Sequence, residues 1–389
     1  MTPPGYERIK SSALNYVASM KVGDIPGRYK KERAETEPGL YGSYHAAHIL
    51  DLFGELDRLP PEQIDVWARF FQDKQCGHGY FTNKPRELAE NRSRMLRQMD
   101  PVWHNTRGMI WALRILKRKP LKPLAFMEPF MDPKVMYDYV KGYDWSNSWA
   151  AGNQICALGT AMLALRDWFG ESDVDRVLEH GMYPALEELL DENTGYWGTQ
   201  FGADLYNGQF GTIHVVPIYF AMGWPLRAIE RNVDSTLACQ LPDGSFWPGG
   251  SDCPDFDGAY MMMNCAALTD YRREDLNAAA RRYLEHALLH EDPQGGGFLL
   301  HRRDSRPQDW KPRPHFIWDE GADHARAELR DDDPDRTHIM LGSWFYPLSI
   351  ALVAHMLGDT GYEGPYHLCP MSLHECNVGC PTMIGGGDA

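Results

Sequence analysis

The sequence predicts an all-α protein built as a single (α/α)6 toroid. Three observations carry that expectation. Helices that are apolar on nearly every side recur at intervals of roughly 45 to 60 residues, and each is followed by a helix with one charged face. Several of these pairs end in a short closer of Gln or Asn, Gly and an aromatic residue. No segment alternates apolar and polar residues over any length, as a half-buried strand would. A helix apolar all round must be surrounded by protein, and one with a charged face lies outside. Alternation of the two along the chain gives two concentric rings. An open solenoid is the alternative, but it needs polar terminal repeats, and the end units here are apolar.

The elements follow in order. The first unit opens with Ser43-Tyr-His-Ala-Ala-His48, an inner helix expected over 43–53, continues with an amphipathic pattern from Pro61 to Gln75, and closes with Gln75-Cys-Gly-His-Gly-Tyr-Phe81. An inner helix over 105–116 has its partner near 133–140. An inner helix over 149–169 is paired with 174–190 and closed by Asn193-Thr-Gly-Tyr-Trp197. An inner helix over 211–222 pairs with 226–240, closed by Gln240-Leu-Pro-Asp-Gly-Ser-Phe246. The next, over 258–268, pairs with 274–290, closed by Gln294-Gly-Gly-Gly-Phe298. The last inner helix is expected over 338–357. The toroid therefore covers 41–360, after an N-terminal extension (1–40) and before a tail (361–389). The charged stretch 301–337, with Arg302-Arg-Asp-Ser-Arg306 and Asp331-Asp-Asp-Pro-Asp335, interrupts the repeat and reads as a solvated loop or a lid.

Composition bounds the function. The 389 residues are 43% hydrophobic and 24% charged, which excludes disorder as the main state. A net charge of −15 repels phosphate backbones, so nucleic acid is not an expected partner. No run of roughly 18 apolar residues calls for a membrane span, and Met1 to Lys10 has no apolar core of a secretory signal. The eight cysteines are too few and too scattered for a disulfide scaffold, which suggests a reducing, cytoplasmic setting. The tail from His367 to Cys380 holds Cys369, Cys376, Cys380 and His374, a set suited to metal or redox chemistry or to a plug over the toroid mouth.

The closers beginning at Gln75 and Gln240 resemble the glutamine–aromatic repeats of the terpenoid cyclase and protein prenyltransferase superfamily. There the amide satisfies loose backbone groups at a helix end while an aromatic ring packs against it. The resemblance covers most of residues 40–360 as a pattern, and it implies the same (α/α)6 toroid. It draws attention to Ser251-Asp-Cys-Pro-Asp-Phe-Asp-Gly-Ala-Tyr260. Squalene–hopene-type cyclases carry Asp-x-Asp-Asp here, with the middle aspartate protonating an alkene. Asp255 and Asp257 match that pattern, and Gly258 replaces its last aspartate. Protein prenyltransferases carry Asp-Gly-Cys-Tyr, whose Asp and Cys bind zinc with a histidine of the last inner helix. Asp257, Tyr260 and His338 match, but Ala259 removes the thiolate, so no metal is expected. No cofactor fingerprint is present either.

The resemblance therefore implies acid–base chemistry, namely cyclisation, isomerisation or elimination/hydration, on a mainly apolar small molecule of the terpenoid kind. Asp257 would be the acid, assisted by Asp255 and by histidines at inner-helix starts: His45, His214 and His338. Trp145, Trp149, Asn153, His104, Tyr260 and Trp344 would line the substrate space, where aromatic faces stabilise a cation. Plainer readings stand beside these. Asp257 is an N-cap, the histidines are hydrogen-bonded structural groups, and the tryptophans are packing. Two other functions remain open: a carbohydrate lyase, epimerase or hydrolase with an open cleft, for which Asp144-Trp-Ser-Asn-Ser-Trp149 would stack on sugars, and a non-catalytic toroid binding a lipid or protein. The oligomeric state is open.

Overall fold

The computed structural model describes residues 4–82, 101–300, 340–358 and 360–368. Twelve helices in two sets make the body. The outer set is α1 (Pro4–Ser19), α3 (Pro61–Gln72), α5 (Pro133–Lys141), α7, α9 (Ile229–Cys239) and α11 (Arg273–Leu288). The inner set is α2 (Leu40–Leu52), α4 (Pro101–Ile115), α6 (Ser148–Phe169), α8 (Leu205–Met222), α10 (Asp252–Leu268) and α12 (Met340–Leu357). Helix α7 is broken: Val174–Val177 and Tyr183–Leu189 flank a π-turn at Leu178–Met182. Each inner helix packs on the next, and α12 packs back on α2, which closes the ring. This is the (α/α)6 toroid. The strands β1 (Leu190–Asp191) and β2 (Tyr196–Trp197) form only a two-residue hairpin within one closer.

Local chemistry sets the helix ends. Asp132 caps α5, accepting from the Lys134 and Val135 amides at 2.7 and 3.2 Å, with Pro133 in the first turn. Asn147 caps α6, which stops at Gly170 in the left-handed region (φ 70°). Asp204 caps α8 by accepting from the Asn207 amide at 2.8 Å. Two inner helices start six residues earlier than the sequence pattern suggests, at Leu205 rather than 211 and at Asp252 rather than 258. Their polar and glycine-containing first turns read as loop, although they are helical and largely buried. Helices α6 and α8 touch backbone to backbone through Gly152 and Gly211, where a Cβ on either glycine would collide with the opposite chain.

The closers behave as their chemistry suggests. The Gln75 amide donates to the Gly79 and Lys122 carbonyls, both at 2.8 Å, and accepts from the Lys122 amide at 2.9 Å. Gln240 does the same three repeats later, donating to the Gly244 and Ala279 carbonyls at 3.1 and 2.8 Å. Gly79 and Gly244 both hold positive φ (95° and 90°), and Phe81 and Phe246 are fully buried. Each glutamine therefore ties its own turn to the next part of the shell.

Helix α12 has the length and composition to cross a membrane, contrary to the expectation that no segment does, but 72% of it is buried as the closing inner helix. Its apolar surface is explained by its neighbours in the ring. Cys76, Cys156, Cys239, Cys253 and Cys265 are free thiols.

Candidate functional site

Five inner helices surround a small cavity. Helix α4 contributes Arg107 and Trp111, α6 Cys156, α8 Ile213, His214 and Pro217, α10 Cys253, Phe256, Asp257 and Tyr260, and α12 Trp344 and Phe345. Spacings of three and four residues put each group on one helical face. The wall is mostly aromatic and aliphatic, with three polar groups of note: Asp257, His214 and Arg107.

Asp257 is 1% exposed, and its Oδ2 has no hydrogen-bond partner. It lies in the second turn of α10, five residues beyond Asp252, so the N-cap reading does not hold; Ser251 occupies the cap position. Burial pushes the Asp257 carboxyl well above the usual range, and the neighbouring Asp252 and Asp255 push it the same way, against a smaller pull from Arg107. That shift favours the protonated form of Asp257, an acid facing a mostly apolar space. Asp252, also buried, is raised to about 8 by burial and by Asp255, against the hydrogen bond it accepts from the Cys253 amide at 2.7 Å.

Asp255 does not share the cavity, which corrects its assignment as an assisting acid. Residues two apart on an α-helix point about 200° from each other, so when Asp257 faces inward Asp255 faces the outer ring. There its Oδ1 accepts from the Phe246 amide at 2.7 Å. Its Oδ2 accepts from the Ser251 amide (3.0 Å), from Tyr346 Oη–H (3.0 Å) and from His286 Nε2 (3.1 Å). His290 completes a ring, with Nε2 3.2 Å from His286 Nε2 and 3.1 Å from Tyr346 Oη. His290 Nδ1–H donates to the Leu299 carbonyl at 3.0 Å, which leaves Nε2 as the acceptor. Asp255, His286 and His290 are also the metal-type donors grouped most tightly among the described residues, within 4.8 Å of one another. As arranged, those donor atoms hydrogen-bond to each other and to Tyr346. The ring joins α10, α11 and α12.

Among the expected histidines, His214 lines the cavity. Its Nδ1–H donates to the Phe210 carbonyl at 2.6 Å, so Nε2 is the free acceptor. Burial first, then Arg107, lowers its pKa to about 3. His104 and His45 are likewise held well below the ordinary value by burial. Both stand behind the wall: His104 stacks on Tyr41 (6.2 Å), and His45 lies against Tyr44 (4.0 Å) and Trp344 (5.3 Å). The three rings are neutral, so they form no charged proton-transfer set.

The remaining expected residues separate clearly. Tyr260 and Trp344 line the cavity. Asn153 does not, but its Oδ1 accepts from Arg107 Nη1 at 2.9 Å and so holds the guanidinium. Trp145 is packing, buried with its indole N–H on the Val140 carbonyl (3.0 Å). Trp149 is half-buried at the start of α6, edge-on to Phe210 (6.2 Å). His338, the stretch 301–337 and the tail cysteines lie outside the described residues. Sequence reasoning missed Arg107, Trp111, Cys253, Phe256 and Phe345. The available signal was an arginine in the middle of an inner helix, one turn before a tryptophan.

The raised carboxyls have a consequence for stability. A group whose folded pKa exceeds its unfolded value stabilises the fold below the unfolded pKa and loses that contribution as pH rises through the folded one. For Asp252 the window runs from about 4 to about 8. In thermal melts between pH 5 and 9, wild type should lose stability relative to Asp252→Asn as pH rises; parallel curves would contradict the shift.

No protein-family model and no curated protein sequence matches the chain. Among solved structures, it is similar to an inactive variant of the α-1,6-mannanase GH76A of Salegentibacter sp. HEL1_6 in complex with α-1,6-mannotetrose. That match has 10% identity, covers 90% of this chain and 98% of that one, and has a TM-score of 0.45. It is similar to a polysaccharide lyase at 12% identity, over 89% and 97% of the chains, with a TM-score of 0.45. It is also similar to a type II terpene cyclase from Scytonema in complex with geranylgeranyl dihydroxybenzoate, at 13% identity, over 75% and 81%, with a TM-score of 0.42. Identities and TM-scores of this size say nothing about what the cavity of this chain binds.

Proposed function

We propose that this chain is an enzyme that protonates a carbon–carbon double bond of an apolar substrate, with Asp257 as the proton donor. The observation that carries this reading is a buried carboxyl with an unpartnered oxygen facing an aromatic-lined cavity, its pKa raised by burial. The π electrons of the alkene form the new C–H bond with the Asp257 proton, leaving a carbocation on the substrate and a carboxylate on Asp257. The faces of Trp111, Phe256, Tyr260, Trp344 and Phe345 stabilise that cation. A second double bond closing on the cation gives cyclisation; direct proton loss gives isomerisation. His214 Nε2 takes the departing proton, and even a weak base suffices for so acidic a C–H. Proton exchange then restores Asp257 and His214. No oxidant, reductant or metal is needed.

Acidic loss and gain of a proton leave a mark that tests the reading. When the protein is incubated in D2O with a panel of polyenes (squalene, farnesol, farnesoic acid), the product should have the substrate's composition plus deuterium incorporated at carbon, with no added cofactor. Conversion without carbon-bound deuterium would overturn it.

A second reading is kept for one observation. At the N-terminal ends of α6, α8 and α10, Trp149, Phe210 and Trp247 form an aromatic run with centroid separations of 6.2 and 5.9 Å. Such faces suit stacking on sugar rings, and turnover of an oligosaccharide with no action on polyenes would favour a carbohydrate-active enzyme.

A further inference from the structure

Arg107 is the feature that the proposed chemistry does not absorb. It sits in the middle of an apolar inner helix, is 6% exposed, and lines the cavity. Its Nη1 donates to Asn153 Oδ1 at 2.9 Å, and its guanidinium lies beside the Cys156 thiol and over the Trp111 ring at 4.8 Å. Its Nε has no hydrogen-bond partner, and among the described residues it forms no ion pair, although it acts electrostatically on Asp257. No other lysine or arginine lines the cavity.

A buried guanidinium without a counter-charge is costly, and retaining one in a small apolar cavity calls for an anion that arrives from outside. The need is sharper if the cavity generates a carbocation, since a bare guanidinium on its wall repels the developing charge. We propose that Arg107 anchors a carboxylate carried by the apolar ligand, which makes the substrate an amphipathic acid rather than a neutral hydrocarbon. This deepens the carbocation reading and rests on it for the identity of the hydrocarbon part, while the anchor itself rests on the geometry of Arg107.

The guanidinium fork matches the two oxygens of one carboxylate. Asn153 and Trp111 fix its plane, so little side-chain freedom is lost on binding. A diphosphate fits less well. It brings more negative charge than a single cation balances. Seated on Arg107, the carboxylate fixes one end of the chain, so that the double bond presented to Asp257 is chosen by its distance from the acid group.

The test is direct binding to the full chain. Farnesoic acid, its primary amide and farnesyl diphosphate are titrated at pH 7.5 by calorimetry. The acid should bind wild type at least about tenfold more tightly than the amide and more tightly than the diphosphate. Arg107→Gln should remove the acid's advantage while leaving amide affinity within about threefold, and Arg107→Lys should restore part of it. Equal affinity of wild type for acid and amide overturns the anchor, a comparison that needs no variant to fold. Tightest binding of the diphosphate also overturns it, in favour of a polyanion site. The two proposals fail separately: acid-selective binding without deuterium uptake defeats the proton-donor reading alone, and deuterium uptake with equal affinities defeats the anchor alone.

Discussion

Asp257→Asn is expected to leave the toroid folded and to lower turnover by about 10²–10⁴-fold, the usual worth of a general acid. The substitution suits the question because of the state of the native group. Asp257 is buried and its pKa is raised well above the usual carboxyl range, so an amide of the same shape matches its protonated form in charge and volume. Stability should move by only about 1 kcal/mol. Its place in the second turn of α10 removes helix capping as a rival explanation of any effect. Deuterium uptake from D2O into polyene product gives the rate, and circular-dichroism melts give the fold. A reporter independent of substrate is also available. Infrared difference spectra of wild type against variant at pH 7 should show the carbonyl stretch of a buried protonated carboxyl, lost in Asp257→Asn. Near-wild-type turnover, or an ionised-carboxylate signature in its place, would move the proton donor elsewhere. The pH profile has a fixed sign as well: activity should fall as pH rises through the raised Asp257 pKa.

The alternation of rings was legible in the sequence because the toroid leaves its inner helices no watered face. Helices such as Ser148–Phe169 and Met340–Leu357 are consequently apolar all round, while Pro61–Gln72 buries only Trp67, Ala68, Phe70 and Phe71 and turns its charges outward. Helix starts at the cavity were less legible. The first turns of Leu205–Met222 and Asp252–Leu268 contain Asn, Gly, Gln, Asp and Pro, residues usual in loops, yet here they are helical and mostly buried. That shift of six residues matters, because it turns Asp257 from a possible cap into a wall residue. With the helix start misplaced, the two aspartates also read as neighbours in one site, when helical geometry sends them to opposite faces. His286 and His290 escaped notice for a related reason. Their spacing of four was visible in an outer helix, but only the packed structure brings Asp255 and Tyr346 against them. Arg107 was hidden in plain view, because its helix also carries His104 and Arg114 and nothing in the sequence sets Arg107 apart as a wall residue.

Asp255→Ala should destabilise the protein by about 3–5 kcal/mol, the cost typical of breaking a buried charged network by removing one partner. The native carboxyl is wholly buried and collects two backbone amides, a tyrosine hydroxyl and a histidine N–H. The amides belong to Phe246 and Ser251, at either end of the loop that delivers the chain into α10, so their orphaning loosens the entry to the helix that carries Asp257. Tyr346 and His286 come from α12 and α11, so the same deletion also unlinks two neighbours across the rings. Asn at this position keeps one carbonyl oxygen and should fall between alanine and wild type. Urea denaturation measures the loss, and turnover per folded molecule distinguishes this role from chemistry. Asp255→Asn should retain most of its specific activity at a temperature where it is folded, the reverse of the pattern at Asp257. Tyr346→Phe should cost less alone, and its effect should be largely absent in the Asp255→Ala background, since the two share one hydrogen bond. A loss below about 1 kcal/mol for Asp255→Ala, or a collapse of turnover in a fully folded Asp255→Asn, would return Asp255 to the catalytic face from which helical geometry removes it.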